Sequence, residues 1–428
     1  MNILVAVLLL GVIIIIHELG HFLLAKKNGV TVTEFSVGMG PRIAGFVKNG
    51  TRYSLKALPF GGSCMMLGED ESVEDEGAFG KKSVGARFSV ISAGAFFNFI
   101  LAFVLALVVI GSIGVDYPDM LGTAEDSPAA SKGFQAGDRI TGIDGKTIHF
   151  SKEIDMHFFF HPMTGDPVKI SFIRNGEERT ETITPEAITY YLLGFSYAPD
   201  LPEAQIGEIY EGYPMGEKGI AVGDIITAVD GTEIGTSTDL KEYFTANPLD
   251  KEPVQITYLH EGVENTVTVA PKEINEYSMG LQYNTSWEKT SAWETIKYSI
   301  YEIKYNIMYA MNSLGYLISG KANMNEIAGP VGIVNIVGKI VTQTKDEGIG
   351  IVLLNLASFS ILLSTNLGVM NLLPIPALDG GRLVFLLLEA IRRKPVPKEK
   401  EAMVHMVGMA VLMIFMVIVL FNDIRNLF

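Results

Sequence analysis

Residues 3–24 read ILVAVLLLGVIIIIHELGHFLL. About 20 apolar residues suffice to cross a bilayer core as a helix. The run has neither the basic flank nor the small-residue cleavage site of a secretory leader, so it reads as a retained span. His17, Glu18 and His21 fall in its last third. Ionisable groups at membrane depth are costly and read by default as functional. His-Glu-x-x-His on a helix puts two imidazoles four residues apart on one face, within reach of one metal ion. Glu18, one position along, stands where it can take a proton from an attacking water.

Three further apolar runs follow. Residues 90–113 contain Gly94 and Asn98 near their start, residues 351–390 are interrupted by Asn366, Asn371, Pro374, Pro376 and Asp379, and residues 403–421 form a clean final run. Four spans put both termini on one side. Lys26, Lys27, Arg42, Lys48, Arg52, Lys56, Lys81, Lys82 and Arg87 lie in the first connection, and Arg392, Arg393, Lys394, Lys398 and Lys400 in the third. Short basic loops face the cytoplasm. Residues 115–289 and both termini are therefore expected outside. The acidic run Glu69-Asp70-Glu71 is a mild exception that the orientation rule discounts.

The whole-chain composition agrees. Of 428 residues, 48% are apolar and 19% charged, with a mean hydropathy of +0.29. This excludes a disordered chain. Cys64 is the only cysteine, which excludes an internal disulfide framework and any multi-cysteine metal site. A net charge of −15 argues against nucleic acid as a partner.

The polar region holds a repeat. Residues 133–148 read GFQAGDRITGIDGKTI and residues 219–234 read GIAVGDIITAVDGTEI, in register. Each copy has a strand-like run ending in Asp-Gly, a hairpin signal, and a helical stretch after it (152–160, 238–244). The pair resembles tandem PDZ domains, with Ser127-Pro128-Ala129 as the lead-in of the first and Tyr213-Pro214-Met215 as its degenerate equivalent. PDZ domains bind extended chains by strand addition.

A catalytic zinc usually takes three protein ligands. The third candidate is Asp379, the only acidic residue between Ile349 and Leu388 and the second lone ionisable group in an apolar run. Two intramembrane polar sites explain each other if they share a cation. Pro374 and Pro376 withhold backbone donors and break the helix beside it. Such backbone is tolerated at membrane depth only where it is buried or lines a watery cavity.

HELGH at 17–21, NLLPIPALDGG at 371–381 and the repeated modules come in this order along nearly the whole chain. Together they resemble the site-2 protease family of intramembrane zinc metalloproteases, in its bacterial branch with tandem PDZ domains, that of the regulator of sigma E protease. Smaller matches are Ser92-Ala93-Gly94 with Asn98, where Ala95 replaces the usual proline, and Ala328-Gly329-Pro330-Val331-Gly332. The resemblance implies a polytopic α-helical membrane protein of about four spans, with a membrane-associated β-hairpin and two extracytoplasmic α+β PDZ domains in a bacterial plasma membrane. It implies Zn2+ on His17, His21 and Asp379, Glu18 as general base, and Asn366 and Asn371, with Pro374 and Pro376 beside them, against the substrate backbone. The implied partners are the lipid bilayer and single-span substrates already shortened by another protease, typically anti-sigma factors, with remnant signal peptides second. The rival is a catalytically silent PDZ scaffold.

The domains expected are a membrane core at 1–114, PDZ modules at 115–199 and 200–286, an interfacial helix and linker at 287–345, and a second membrane core at 346–428. Residues 30–37 and 52–58 alternate like strands and form either an ordinary cytoplasmic hairpin or one dipping toward the metal to accept an unwound substrate as an extra strand. Trp293, Tyr298, Tyr301, Tyr305 and Tyr309 recur at helical spacing, as on an interfacial helix or a packed aromatic face. His157 and His161, with Phe158 between them, read as structural; His149, His260 and His405 carry no assigned role.

Overall fold

A computed structural model describes residues 2–425 apart from 70, 72, 199–200, 211, 284–286 and 323–326. Asp70 and the boundaries expected at 199/200 and 286 lie outside the described residues. The chain divides into two compact units: Met1–Tyr117, His149–Met156 and Thr285–Phe428 form one, and Pro118–Ile148 with His157–Asn284 the other.

The first unit opens with α1 (Asn2–Lys27), ended by Gly29 at φ +68. Strands β1 (Val32–Lys48) and β2 (Thr51–Met66) follow, then α2 (Val84–Ile113). Ser83 caps α2, its side chain accepting from the Ala86 N–H. The hairpin is about twice the length expected from 30–37 and 52–58. Asn49 and Gly50, both at positive φ, make the tight two-residue turn that matches strand twist. Gly38, Gly40 and Gly61, also at positive φ, sit among register shifts in the pairing. Bulges of this kind break the alternation by which strands are read from sequence, yet let pairing continue.

In the second unit, β3 (Met120–Thr123) and α3 (Pro128–Ser131) precede β4 (Arg139–Ile143) and β5 (Lys146–Thr147). Helix α4 (Ser151–Phe160) belongs to the first unit as far as Met156. Then come β6 (Val168–Arg174), β7 (Glu177–Ile183), β8 (Glu186–Leu192), β9 (Phe195–Tyr197), β10 (Ala204–Ile209), α5 (Pro214–Glu217), β11 (Ile225–Val229), β12 (Thr232–Glu233), α6 (Ser237–Ala246), β13 (Val254–His260), β14 (Val263–Val269), β15 (Lys272–Ser278) and β16 (Leu281–Tyr283). One sheet runs β5-β4-β6-β7 and another β14-β13-β11-β10-β9, with β12 on β11. The repeats are not strung end to end. β16 pairs with β3 and β15 with β8 in two further two-stranded sheets, so the strands that follow the second sheet in the chain return to strands that precede it.

The repeated Asp-Gly pairs do the same work twice. Asp144-Gly145 and Asp230-Gly231 turn at positive φ, and each aspartate accepts from a backbone N–H on the neighbouring strand, Lys169 and Gln255 respectively. The repeated Gly-Asp pairs differ in partner. Buried Asp138 is held by Arg174 at 2.5 Å, whereas buried Asp224 meets His260 at 2.7 Å. Arg174 and His260 each follow their aspartate by 36 positions. A permanent cation in one copy is thus a titratable one in the other. The hydrogen bond to Asp224 raises the His260 pKa above its ordinary 6.5, with the charges of Asp224 and Glu261 adding to it. A raised histidine pKa contributes stability in full below about pH 6.5 and loses it as pH rises through the folded value. His260→Arg is expected to remove the fall in the unfolding temperature of this unit between pH 6 and 8.5. Thermal scans at both pH values, with NMR titration of His260, check it; a slope unchanged in the variant contradicts it.

The first unit resumes with α7 (Ala292–Ile318), capped by a reciprocal Ser291–Glu294 pair. Its aromatics divide between the two expected roles. Tyr298 and Tyr301 pack against Ile110, Val115, Tyr117 and Phe150, while Trp293 is 73% exposed. α8 (Pro330–Thr344) is capped from far along the chain: Asp423 accepts from the N–H groups of Gly329, Val331 and Gly332 at 2.9–3.1 Å. A Cβ on Gly329 would stand 2.7 Å from that carboxylate, which accounts for the glycine in this motif.

The run 351–390, counted as one span but expected to break at its prolines, is two helices. α9 (Ile349–Leu372) stops before Pro374, and α10 (Asp379–Arg392) restarts after Pro376, because neither proline can donate to a helical ladder. α11 (Lys398–Arg425) completes the chain. Among the described residues, four helices are long and apolar enough to cross a membrane: Ile3–Lys27, Val84–Ile113, Ile349–Leu372 and Lys398–Arg425.

Candidate metal centre

His17 and His21 are neighbours on one face of α1, and α2 crosses that face at glycine. A Cβ on Gly20 would lie 2.4 Å from the Ala93 carbonyl oxygen, so the backbones meet with no side chain between them. A Cβ on Gly94 would fall 2.4 Å from Nε2 of His21 and 2.7 Å from Nε2 of His17. The space in front of both imidazoles exists because residue 94 has no side chain.

Asp379 enters from the first turn of α10. Gly380 behind it is obligatory, since a Cβ there would overlap the Leu373 carbonyl. Oδ2 of Asp379 stands 3.2 Å from Nε2 of His17 and 3.3 Å from Nε2 of His21, and the two nitrogens are 3.1 Å apart. Zinc binds such atoms at about 2.0–2.2 Å, so tetrahedral ligands stand about 3.3 Å from one another. The observed triangle has that size. Oδ2 is buried and takes no hydrogen bond, an orphan that a cation would satisfy. These are the described His, Cys, Asp and Glu residues that group closely enough to hold a metal ion.

The outer nitrogens set the tautomers. Nδ1 of His21 lies 2.9 Å from the Val90 carbonyl, to which it donates, leaving Nε2 with its lone pair toward the centre. The side-chain amide of fully buried Asn98 lies 3.2 Å from Nδ1 of His17, and its Oδ1 takes no bond. Amide oxygen and nitrogen are interchangeable by a half-turn. With Oδ1 toward the ring it accepts from Nδ1–H, and His17 also presents a bare Nε2. The Asn98 backbone is tied to α9, its main-chain carbonyl accepting from the Ser364 hydroxyl at 2.8 Å.

Glu18 is half-buried beside β2: a Cβ on Gly62 would stand 3.1 Å from its Cγ. The hairpin therefore reaches the glutamate. Asn366 is half-buried on α9 with Oδ1 unpaired, and Asn371 is half-buried in its last turn. Pro374 is exposed, and Pro376 is half-buried against Gly408 of α11. The sequence reading noted Gly94 and Asn98 only as motif members. Their spacing of four on one helix face, matching that of the histidines, was the available signal.

Two histidines and an aspartate placed closely enough to hold one metal ion, on apolar helices long enough to span a bilayer, fit the class of membrane metallohydrolases. The profile described as Peptidase family M50 matches residues 5–415, and the chain belongs to that family, the site-2 proteases. It is 32% identical to zinc metalloprotease RasP of Bacillus licheniformis, covering 100% of both chains. It is 30% identical to the regulator of sigma-W protease RasP of Bacillus subtilis, covering 99% of this chain and 98% of that one. Among solved structures, the PDZ domain of the SdrC-like protein from Listeria monocytogenes covers 17% of this chain and 75% of its own, with 30% identity and a TM-score of 0.15. The protein is a multi-pass membrane zinc metalloprotease.

Proposed function

We propose that the protein cuts a peptide bond within or beside the transmembrane helix of a single-span membrane protein. The observation that carries this is the triangle of His17, His21 and Asp379 ligand atoms among apolar helices, with Glu18 beside it. His17, His21 and Asp379 hold the zinc, which when bound supplies Lewis acidity. Glu18 takes the proton of the attacking water and returns it to the leaving amine. Asn366 and Asn371 hold the substrate backbone and the developing oxyanion. Pro374 and Pro376 keep the adjoining backbone irregular, so that water can enter. The hairpin edge beside Glu18 receives the unwound substrate as an added strand.

The name of the Bacillus subtilis relative, a regulator of sigma-W protease, supports an anti-sigma factor as the substrate type. The basic loops support a cytoplasmic side for 25–89 and 391–402, with the sheet-rich unit and both termini outside. The sheet-rich unit acts as a size filter. In proteoliposomes, the full chain is expected to cut a single-span substrate with a truncated ectodomain and to spare the intact one, and removal of residues 115–289 to expose the intact one. Cleavage that survives zinc chelation, or a full chain that cuts both substrates equally, overturns the respective part.

A further inference from the structure

Asp379 follows a backbone that does not hold itself. Ala377, two residues before it, has φ +76, a left-handed conformation that costs a residue with a Cβ. Such a residue persists only where its surroundings over-determine it. The surroundings here come from α11. The Ala377 N–H donates to Nδ1 of His405 at 2.8 Å. One turn on, Gly408 lies so close to Pro376 that a Cβ there would be 2.7 Å from the proline carbonyl oxygen. A Cβ on Gly381 would stand 2.6 Å from the Ile375 carbonyl oxygen and 3.2 Å from Cε1 of His405. The His405 side chain is largely buried, 17% exposed, and its ring faces Phe385 of α10 at 5.6 Å between centroids. A histidine in an apolar helix thus meets the one strained non-glycine residue among those leading into Asp379.

We propose that His405 is the positioning residue for Asp379: its Nδ1 holds the Ala377 N–H, fixes the left-handed turn, and so sets the carboxylate against the two imidazoles. This rests on the reading of Asp379 as a zinc ligand. α11, whose Asp423 caps α8, then also forms part of the centre without touching the metal. Partners one step removed from a metal typically change its affinity 10–100-fold when lost.

The test uses the full chain in detergent micelles. Zinc affinity is measured by chelator competition, the visible bands of the cobalt-substituted protein are recorded, and kcat and KM are separated. His405→Leu is expected to weaken zinc binding 10–100-fold, shift the cobalt bands and lower kcat with KM little changed. His405→Asn keeps an acceptor near the place of Nδ1 and is expected to stay within about threefold of wild type, as rescue by the conservative variant requires. Adding Ala377→Gly to His405→Leu is expected to restore affinity, because glycine takes φ +76 without strain. Equal behaviour of the Leu and Asn variants, or no rescue by Ala377→Gly, overturns the proposal. Asp379→Ala separates the two levels: if it binds zinc as wild type does, the ligand assignment fails and takes this inference with it.

Discussion

Glu18→Gln leaves zinc bound and abolishes cleavage. Glutamine keeps the volume and the hydrogen-bonding reach of glutamate but cannot take a proton. A positioned acid–base group is worth about 10²–10⁴ in rate, so kcat is expected to fall at least about a hundredfold. Glu18 is not among the three atoms that form the ligand triangle, so zinc content is expected to stay at wild type. Metal analysis of the purified variant and single-turnover cleavage in proteoliposomes give the two readings together. Residual activity above about a tenth of wild type would remove Glu18 from its role. Zinc lost together with activity would move it into the ligand set. A silent scaffold predicts no activity for the variant to lose.

What the sequence made legible follows from cost. His17, Glu18, His21 and Asp379 stood out because an ionisable group in an aliphatic run has no inexpensive alternative explanation. Pro374 and Pro376 marked the break between α9 and α10 for the same kind of reason, a missing donor where every donor counts. The repeated Asp-Gly turns were visible because only a few residues take their backbone angles.

The rest was hidden for equally physical reasons. β3 and β16 are four and three residues long, far apart in the chain and without periodicity, so nothing local announces that they pair. The hairpin outran its expected ends because glycine bulges shift the alternation while the hydrogen bonds continue. The division of the α7 aromatics between a packed and an exposed face depends on which helices lie beside it, a tertiary property. Gly94 was the hardest to see, since what it contributes is an absence.

That absence yields the second large effect. Gly94→Ala is expected to empty the centre. The new methyl would occupy the point 2.4 Å from Nε2 of His21, 2.6 Å from Cε1 of His17 and 2.7 Å from its Nε2, on the side where the lone pairs converge. Real carbon atoms do not approach so closely, so either α2 retreats or the imidazoles turn away. Retreat from α1 is opposed on the far side, where a Cβ on Gly368 of α9 would stand 3.2 Å from the Ala95 carbonyl oxygen and 2.9 Å from the Phe99 ring, so α2 has no slack to move into. The imidazoles therefore move, His21 losing its bond to Val90 or His17 its bond to Asn98. Zinc affinity is expected to fall at least about a hundredfold, at the upper end of what even an outer partner controls, and cleavage with it. Overpacking of this size costs about 1–3 kcal/mol, little enough for the chain to stay folded. Gly111→Ala on the same helix is the control: its nearest neighbour would be Thr295 at 3.7 Å, ordinary contact, and it is expected to keep zinc, cleavage and stability. Zinc stoichiometry and thermal unfolding of the two variants, side by side, decide the matter. If Gly94→Ala bound zinc as tightly as Gly111→Ala, the metal would lie elsewhere than between these helices.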